Sequence, residues 1–174
     1  MFRCGSHVYG TSSNTSDQDF VIVWKDPDAK KDLLFRPKLN FVVYGLTAFG
    51  KALEDQNVFA LECYFAPKQH VLKEASFHFK LDSKKLFEAA KERSDSDYAK
   101  AKRIFDHDPE SAKKKVFHAI RVPQFAKQIA EFGKIVNFHA AIPTWEEIIL
   151  FDGVEWTEWD LKFGPLRTEL LRSY

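Results

Sequence analysis

Cysteine and methionine are nearly missing from this chain. Cys4 and Cys63 are its two cysteines and Met1 its one methionine. Two thiols can build neither a disulfide framework nor a four-thiolate zinc site. No apolar run approaches the roughly 18 residues that a membrane span needs. The opening residues, Met1 to Gly10, lack the pattern of a secretory signal. There is no internal repeat and no low-complexity tract. Net charge is also small, at +1. These absences lead us to expect a soluble, cytoplasmic protein with no membrane partner. What is present is apolar and aromatic: 45% of the residues are hydrophobic and 17 are phenylalanine, enough for a core built around large flat rings and too much for a disordered chain. A length of 174 residues suits one ordinary domain plus an appendage.

The charge is unevenly spread. Basic and acidic residues number 8 and 8 over residues 1–72, 15 and 10 over 73–134, and 3 and 7 over 135–174, so these stretches carry 0, +5 and −4. A basic middle attracts polyphosphate or nucleic acid, but solvated helix faces account for the same numbers. Charge alone does not choose between them.

The first part of the chain reads as mixed α and β. Phe2–Cys4 leads into a small-residue break at Gly5-Ser6, and Thr11 to Ser16 has the composition of a loop. Asp19 to Trp24, rich in β-branched and aromatic residues, is expected to be a strand ended by Asp26-Pro27-Asp28. From about Asn40 to Asp55, the recurrence of Val43, Leu46, Phe49 and Leu53 predicts a helix capped by Asn40 and weakened by Gly45 and Gly50. A second strand is expected over Val58–Phe65, before Ala66-Pro67.

From Ser83 onward the pattern turns helical. Asp82 or Ser83 can cap Lys84–Arg93, and Asp95 or Ser96 can cap a short helix reaching about His107. Asp108 followed by Pro109 is a strong start signal for a helix running to Phe132, with Gly133 as its stop and Pro123 as a kink. Trp145–Phe151 and Leu161–Arg172 are expected to be shorter helices. The expected organisation is a βαβ-like sheet module over residues 1–80 and a helical module over 81–174.

The informative stretch runs from Gly5 to Val23. On a strand, residues i and i+2 share a face, so Asp17 and Asp19 present two carboxylates side by side. Two such groups repel unless a cation lies between them, which makes the pair natural as a hard-metal site. Gly5-Ser6 adds backbone N–H groups and a hydroxyl that can approach a phosphate. A lone Asp-x-Asp is usually a turn or cap, and Ser94-Asp95-Ser96-Asp97, lacking an upstream Gly-Ser, reads as capping. Glu62 interrupts an otherwise apolar run, Val58 to Phe65. Burying an ionised carboxylate in a sheet costs several kcal/mol unless it is paired or metal-bound, so Glu62 reads as a third ligand.

Gly5-Ser6, Asp17, Asp19 and Glu62 together resemble the signature of the nucleotidyltransferases with a DNA polymerase β-like fold. Gly5-Ser6-His7-Val8-Tyr9-Gly10 with Ser16-Asp17-Gln18-Asp19, and Ala60 to Pro67, resemble two blocks of one group within it, the RNA-repair-pathway DNA polymerase β family. Residues 115–121 and 133–138 resemble its later helical part. The resemblance implies an α+β fold, a polymerase β-like mixed sheet module followed by a helical one. It implies two Mg²⁺ (or Mn²⁺) ions on Asp17, Asp19 and Glu62, with a nucleoside triphosphate gripped at Gly5 and Ser6. The nucleoside monophosphate would pass to a hydroxyl, an RNA end first among acceptors. Protein or small-molecule nucleotidylation by the same site, and nucleotide or RNA binding without turnover, are the alternatives. Gln18 stands where that family has an apolar residue, implying a partly exposed far face on this strand.

Lys114, His118 and Arg121 fall on one side of a helix and could meet phosphates, or form a solvated face. His7 is expected to fill its loop, and Tyr9 and Tyr64 to pack in a core. His70, His78, His107 and His139 have no zinc-ligand spacing. Trp156 and Trp159 are expected to pack the last helices.

Overall fold

Four short strands and seven α-helices make an α+β architecture in the computed structural model, which describes residues 1–26, 32–74 and 76–172. Pro27 and Asp28, two of the three residues expected to end the first long strand, lie outside the described residues. No helix among the described residues is long and apolar enough to cross a membrane. The chain divides into two compact units, Met1–Asp82 with Asn137–His139, and Ser83–Val136 with Ala140–Tyr174.

The first unit holds the sheet. Its strands are β1 (Phe2–Cys4), β2 (Gln18–Trp24), β3 (Asp32–Arg36) and β4 (Leu39–Gly45), in spatial order β1-β2-β4-β3. β1 runs antiparallel to β2, β4 parallel to β2, and β3 antiparallel to β4. The sheet is therefore mixed, with β4 inserted between β2 and β3. Helix α1 (Ser6–Tyr9) follows β1 directly, and α2 (Leu46–Glu54) and α3 (Val58–Tyr64) follow β4. Buried Phe2, Val21, Tyr44, Phe49, Leu53, Ala60 and Leu61 make its core, with the Phe49 ring stacked on Phe2 and edge-on to Tyr44.

β2 forms where the sequence places it. Two other expectations are corrected. Asn40 caps no helix: Leu39–Gly45 is strand β4, hydrogen-bonded on both sides, and the helix begins at Leu46 with Gly45 as its N-cap. The β-branched and aromatic run Phe41-Val42-Val43-Tyr44 suits a central strand. The apparent helical spacing from Val43 through Leu46 spans a junction between two kinds of element. Val58–Tyr64 is a helix and not a strand. Asn57 caps it by accepting a hydrogen bond from the Ala60 amide at 3.2 Å, and Val58, Ala60, Leu61, Glu62 and Cys63 are buried nearly all round it.

The second unit is helical: α4 (Ser83–Ile104), α5 (Pro109–Phe132), α6 (Ile142–Leu150) and α7 (Trp156–Arg172). α5 begins and ends as its signals dictate. The Asp108 side chain accepts from the Ser111 amide, Pro109 takes the first turn, and Gly133 closes the helix in the left-handed region at φ 68°. The helix continues unbroken through Pro123. α4 overturns the capping expectation, because Ser94-Asp95-Ser96-Asp97 lies inside one continuous helix. Tertiary partners hold it there. Ser94 Oγ donates to the Ala119 carbonyl at 2.6 Å, and buried Asp97 accepts from Arg93 at 2.7 Å and Lys115 at 2.8 Å. Asp95 takes Lys91 and Arg167. Trp159 is buried among Phe105, Phe151 and Phe163, with its indole N–H on the Gly153 carbonyl. The tryptophan pair packs the last helices, as expected.

Candidate functional site

The sheet alternation brings Asp17 and Asp19 to one side at the start of β2. Asp19 pairs with Cys4 on β1 and with Asn40 on β4, so its side chain emerges between two neighbouring strands. Asn40 is the residue that sequence reasoning missed. Its Nδ2 donates to Asp19 Oδ1 at 2.9 Å and reaches Asp17 Oδ2 at 3.4 Å. One amide group thus faces both carboxylates and relieves part of their repulsion. The only signal in the sequence was a polar residue at the head of an apolar run; the β2–β4 register turns it into a site residue.

Gly5 explains how the turn before α1 comes so close. Its φ of 75° lies in the left-handed region, and a methyl group there would overlap the Asp19 carboxylate. Glycine is therefore required twice over, for conformation and for space. The turn continues into α1, where the Val8 and Tyr9 amides donate back to the Gly5 carbonyl. Ser6 and His7 are half-buried, while Val8 and Tyr9 are in the core.

Glu62 does not occupy a strand. It sits on α3, 3% exposed, with the Tyr9 hydroxyl donating to its Oε2. Tyr9 therefore packs in the core, as expected, and supplies a partner for the buried carboxylate. Among the described residues, no three His, Cys, Asp or Glu side chains gather as a metal-holding group. The neighbouring Cys63 thiol is pushed well up, by burial first and then by Cys4 and Glu62, and stays protonated.

The donor set at Asp17, Asp19 and Asn40 fits a hard divalent cation. Two carboxylates converge on one amide, and half a turn of that amide exchanges Nδ2 for an oxygen, the ligand type such ions take.

Lys114, His118 and Arg121 lie on α5, in the second unit. They do not form one solvated edge. Lys114 is exposed, whereas Arg121 is 4% exposed, with its guanidinium 5.0 Å from the centre of the Phe125 ring and Nη2 3.3 Å from His118 Nδ1. Burial, then the charges of Arg121, Lys115, Arg93 and Lys114, hold the His118 imidazole well below its ordinary pKa. A cavity of about 620 Å³ opens in the second unit beside Tyr98, Asp160 and Arg167. None of Asp17, Asp19, Glu62, Lys114, His118 and Arg121 lines it.

Compared with protein-family models, curated proteins and solved structures, the chain matches none. What the fold and site define is a class: an α+β protein with a four-stranded mixed sheet and an amide-bridged carboxylate pair at the start of a central strand.

Proposed function

We propose that the first unit is a nucleotidyltransferase module of the polymerase β-like kind, which binds a nucleoside triphosphate with Mg²⁺ or Mn²⁺ and transfers its nucleoside monophosphate to a hydroxyl, an RNA end first among acceptors. The observation that carries the proposal is the convergence of Asp17 and Asp19 beside a glycine turn that only a residue without a side chain can make. In this reading Asp17, Asp19 and, after rotation of its amide, Asn40 hold the metal. The Ser6 hydroxyl and the backbone N–H groups of Gly5-Ser6 donate to the β- and γ-phosphates. Glu62 serves the site from behind, fixing Tyr9 and so the helix that follows the turn.

The transfer is a single in-line displacement. The acceptor oxygen forms a bond to the α-phosphorus as the bond to the bridging oxygen breaks, and pyrophosphate leaves with that electron pair. The metal, when bound, supplies charge neutralisation for the leaving group and a lower pKa for the acceptor hydroxyl. The protein's part is to orient the phosphates against the carboxylate pair; no side-chain nucleophile is needed.

One observation favours a second reading. The Asn40 amide already compensates the two carboxylates without a cation, as suits a nucleotide- or RNA-binding module without turnover. The test incubates the protein with each α-labelled nucleoside triphosphate, Mg²⁺ or Mn²⁺, total RNA and cell lysate, beside the Asp17→Asn/Asp19→Asn variant. Label on RNA that disappears in the variant establishes transfer and names the nucleotide. Label on a protein band moves the acceptor to protein. No label, with RNA binding retained or strengthened in the variant, selects the binding module.

A further inference from the structure

The carboxylate pair occupies one side of the sheet. On the other side, next to β1, stands a different set of side chains. Arg3 pairs with Phe20 where Cys4 pairs with Asp19, so alternation turns Arg3 away from the carboxylates. Its guanidinium lies 5.8 Å from the centre of the Phe20 ring, and Nη2 donates to Gln18 Oε1 at 3.1 Å. An antiparallel bridge between Phe2 and Val71 lays the segment after the 3-10 turn Lys68–His70 along β1. His70 is thereby brought opposite Arg3. His7 stands on α1 and His139 in the short segment Asn137–His139 that belongs to this unit, and both act electrostatically on His70.

Three nitrogens in this group are buried and lack a hydrogen-bond partner: Arg3 Nε, His7 Nε2 and His70 Nδ1. A buried polar group without a partner is costly, so three such nitrogens are a liability for a small sheet. The electrostatics are equally one-sided. Burial holds the His70 imidazole below its ordinary pKa, and the charged groups acting on it, Arg3, His139 and His7, all push the same way. Lys68, on the same turn, is exposed and also basic.

From this juxtaposition we infer that Arg3, His7, His70 and His139 form a phosphate-binding site on the first unit, separate from Asp17 and Asp19. The inference does not rest on the function proposed above. An arginine Nε–H can only donate, so this cluster asks for an acceptor and not for a metal ion. A forked guanidinium and several imidazoles match a tetrahedral oxyanion, which offers more oxygens than a carboxylate does. An anion seated there stabilises the imidazolium form of His70, so binding takes up a proton and tightens as pH falls.

The test follows the histidine Cε1–H resonances of the whole chain by NMR during titration with inorganic phosphate, against chloride at equal ionic strength. Sulfate, whose charge is constant, serves for the pH series. We expect saturable shifts of His7, His70 and His139, and a His70 titration midpoint that moves up with sulfate. Arg3→Gln and His70→Gln should each weaken binding about tenfold, the loss of one charge-assisted hydrogen bond. His139→Gln, at an exposed position that leaves the core untouched, should weaken it severalfold. Binding should persist in Asp17→Asn. Competition then separates the sources of the phosphate: displacement by a nucleoside triphosphate points to free nucleotide, and displacement by a 5′-phosphorylated oligonucleotide points to a polynucleotide end. Shifts no larger than those in chloride, or equal displacement by the unphosphorylated oligonucleotide, would overturn the site.

Discussion

Asn40 decides how the carboxylate pair behaves. Set across from Asp19 in the β2–β4 register and bonded to both acids, it offsets part of the repulsion between them. Exchanging the amide for a third acid removes a hydrogen bond between neutral and charged groups, worth about 1.5–3 kcal/mol, and adds repulsion. Asn40→Asp should therefore lower stability in chelator by that order, while Mn²⁺ recovers most of the loss. Thermal melts with and without Mn²⁺ measure both effects. A variant no more responsive to Mn²⁺ than the wild type would mean that these side chains do not point at a common ion position. Glu62 poses the contrasting case. A carboxylate in an apolar run demands a partner, and the partner was a tyrosine hydroxyl from 53 residues away, which no local pattern could announce.

Among the elements, the β3–β4 hairpin carries visible strain. Arg36 pairs with Leu39, so Pro37-Lys38 forms a two-residue turn in which Lys38 adopts φ 59°. A side chain in that region costs about 1–2 kcal/mol relative to glycine. Lys38→Gly should stabilise the first unit by up to about 1 kcal/mol, the remainder being offset by the extra freedom glycine has when unfolded; chemical denaturation would register it, and an unchanged or lower midpoint would contradict it. The elements also show what could be read in advance. β2 with its acids was legible because alternation and the Gly5-Ser6 break are local signals, and α5 because Asp108, Pro109 and Gly133 act within a turn of the helix ends. β4 and α2 were merged because apolar spacing runs smoothly across Gly45. α3 was misread because an element buried nearly all round has no period to show; Asn57 was its only local mark. Ser94 to Asp97 looked like a cap because Ala119, Lys115 and Arg167, which hold that segment in a helix, lie far along the chain.

At the scale of the whole molecule, the two units report separately. Trp145, Trp156 and Trp159 all belong to the second unit, whereas Trp24, in the first, is 60% exposed, so tryptophan emission follows unfolding of the helical unit. Its pH response has two windows. The His118 imidazole is held well below its ordinary value of 6.5, by burial first and then by Arg121 and its cationic neighbours. The folded unit thus resists a proton that the unfolded chain accepts. Stability from this group is complete above about pH 6.5 and falls as pH drops toward the folded pKa, by at most about 1.4 kcal/mol per pH unit. Asp95 and Asp108 act lower. Burial acts to raise Asp95, but hydrogen bonds from Lys91 and Arg167 outweigh it, and Ser111 holds Asp108 down. Their stabilisation is present above the ordinary carboxylate value of 3.8 and is lost as pH falls through the folded pKa values. Urea unfolding followed by tryptophan emission between pH 8 and 3 should show two descending steps. His118→Gln should flatten the upper one, since glutamine takes no proton, and leave the lower in place. A wild-type profile that is level between pH 7 and pH 5 would show that protonating His118 costs the fold nothing, and with it that the Arg121–His118 contact is not closed to water.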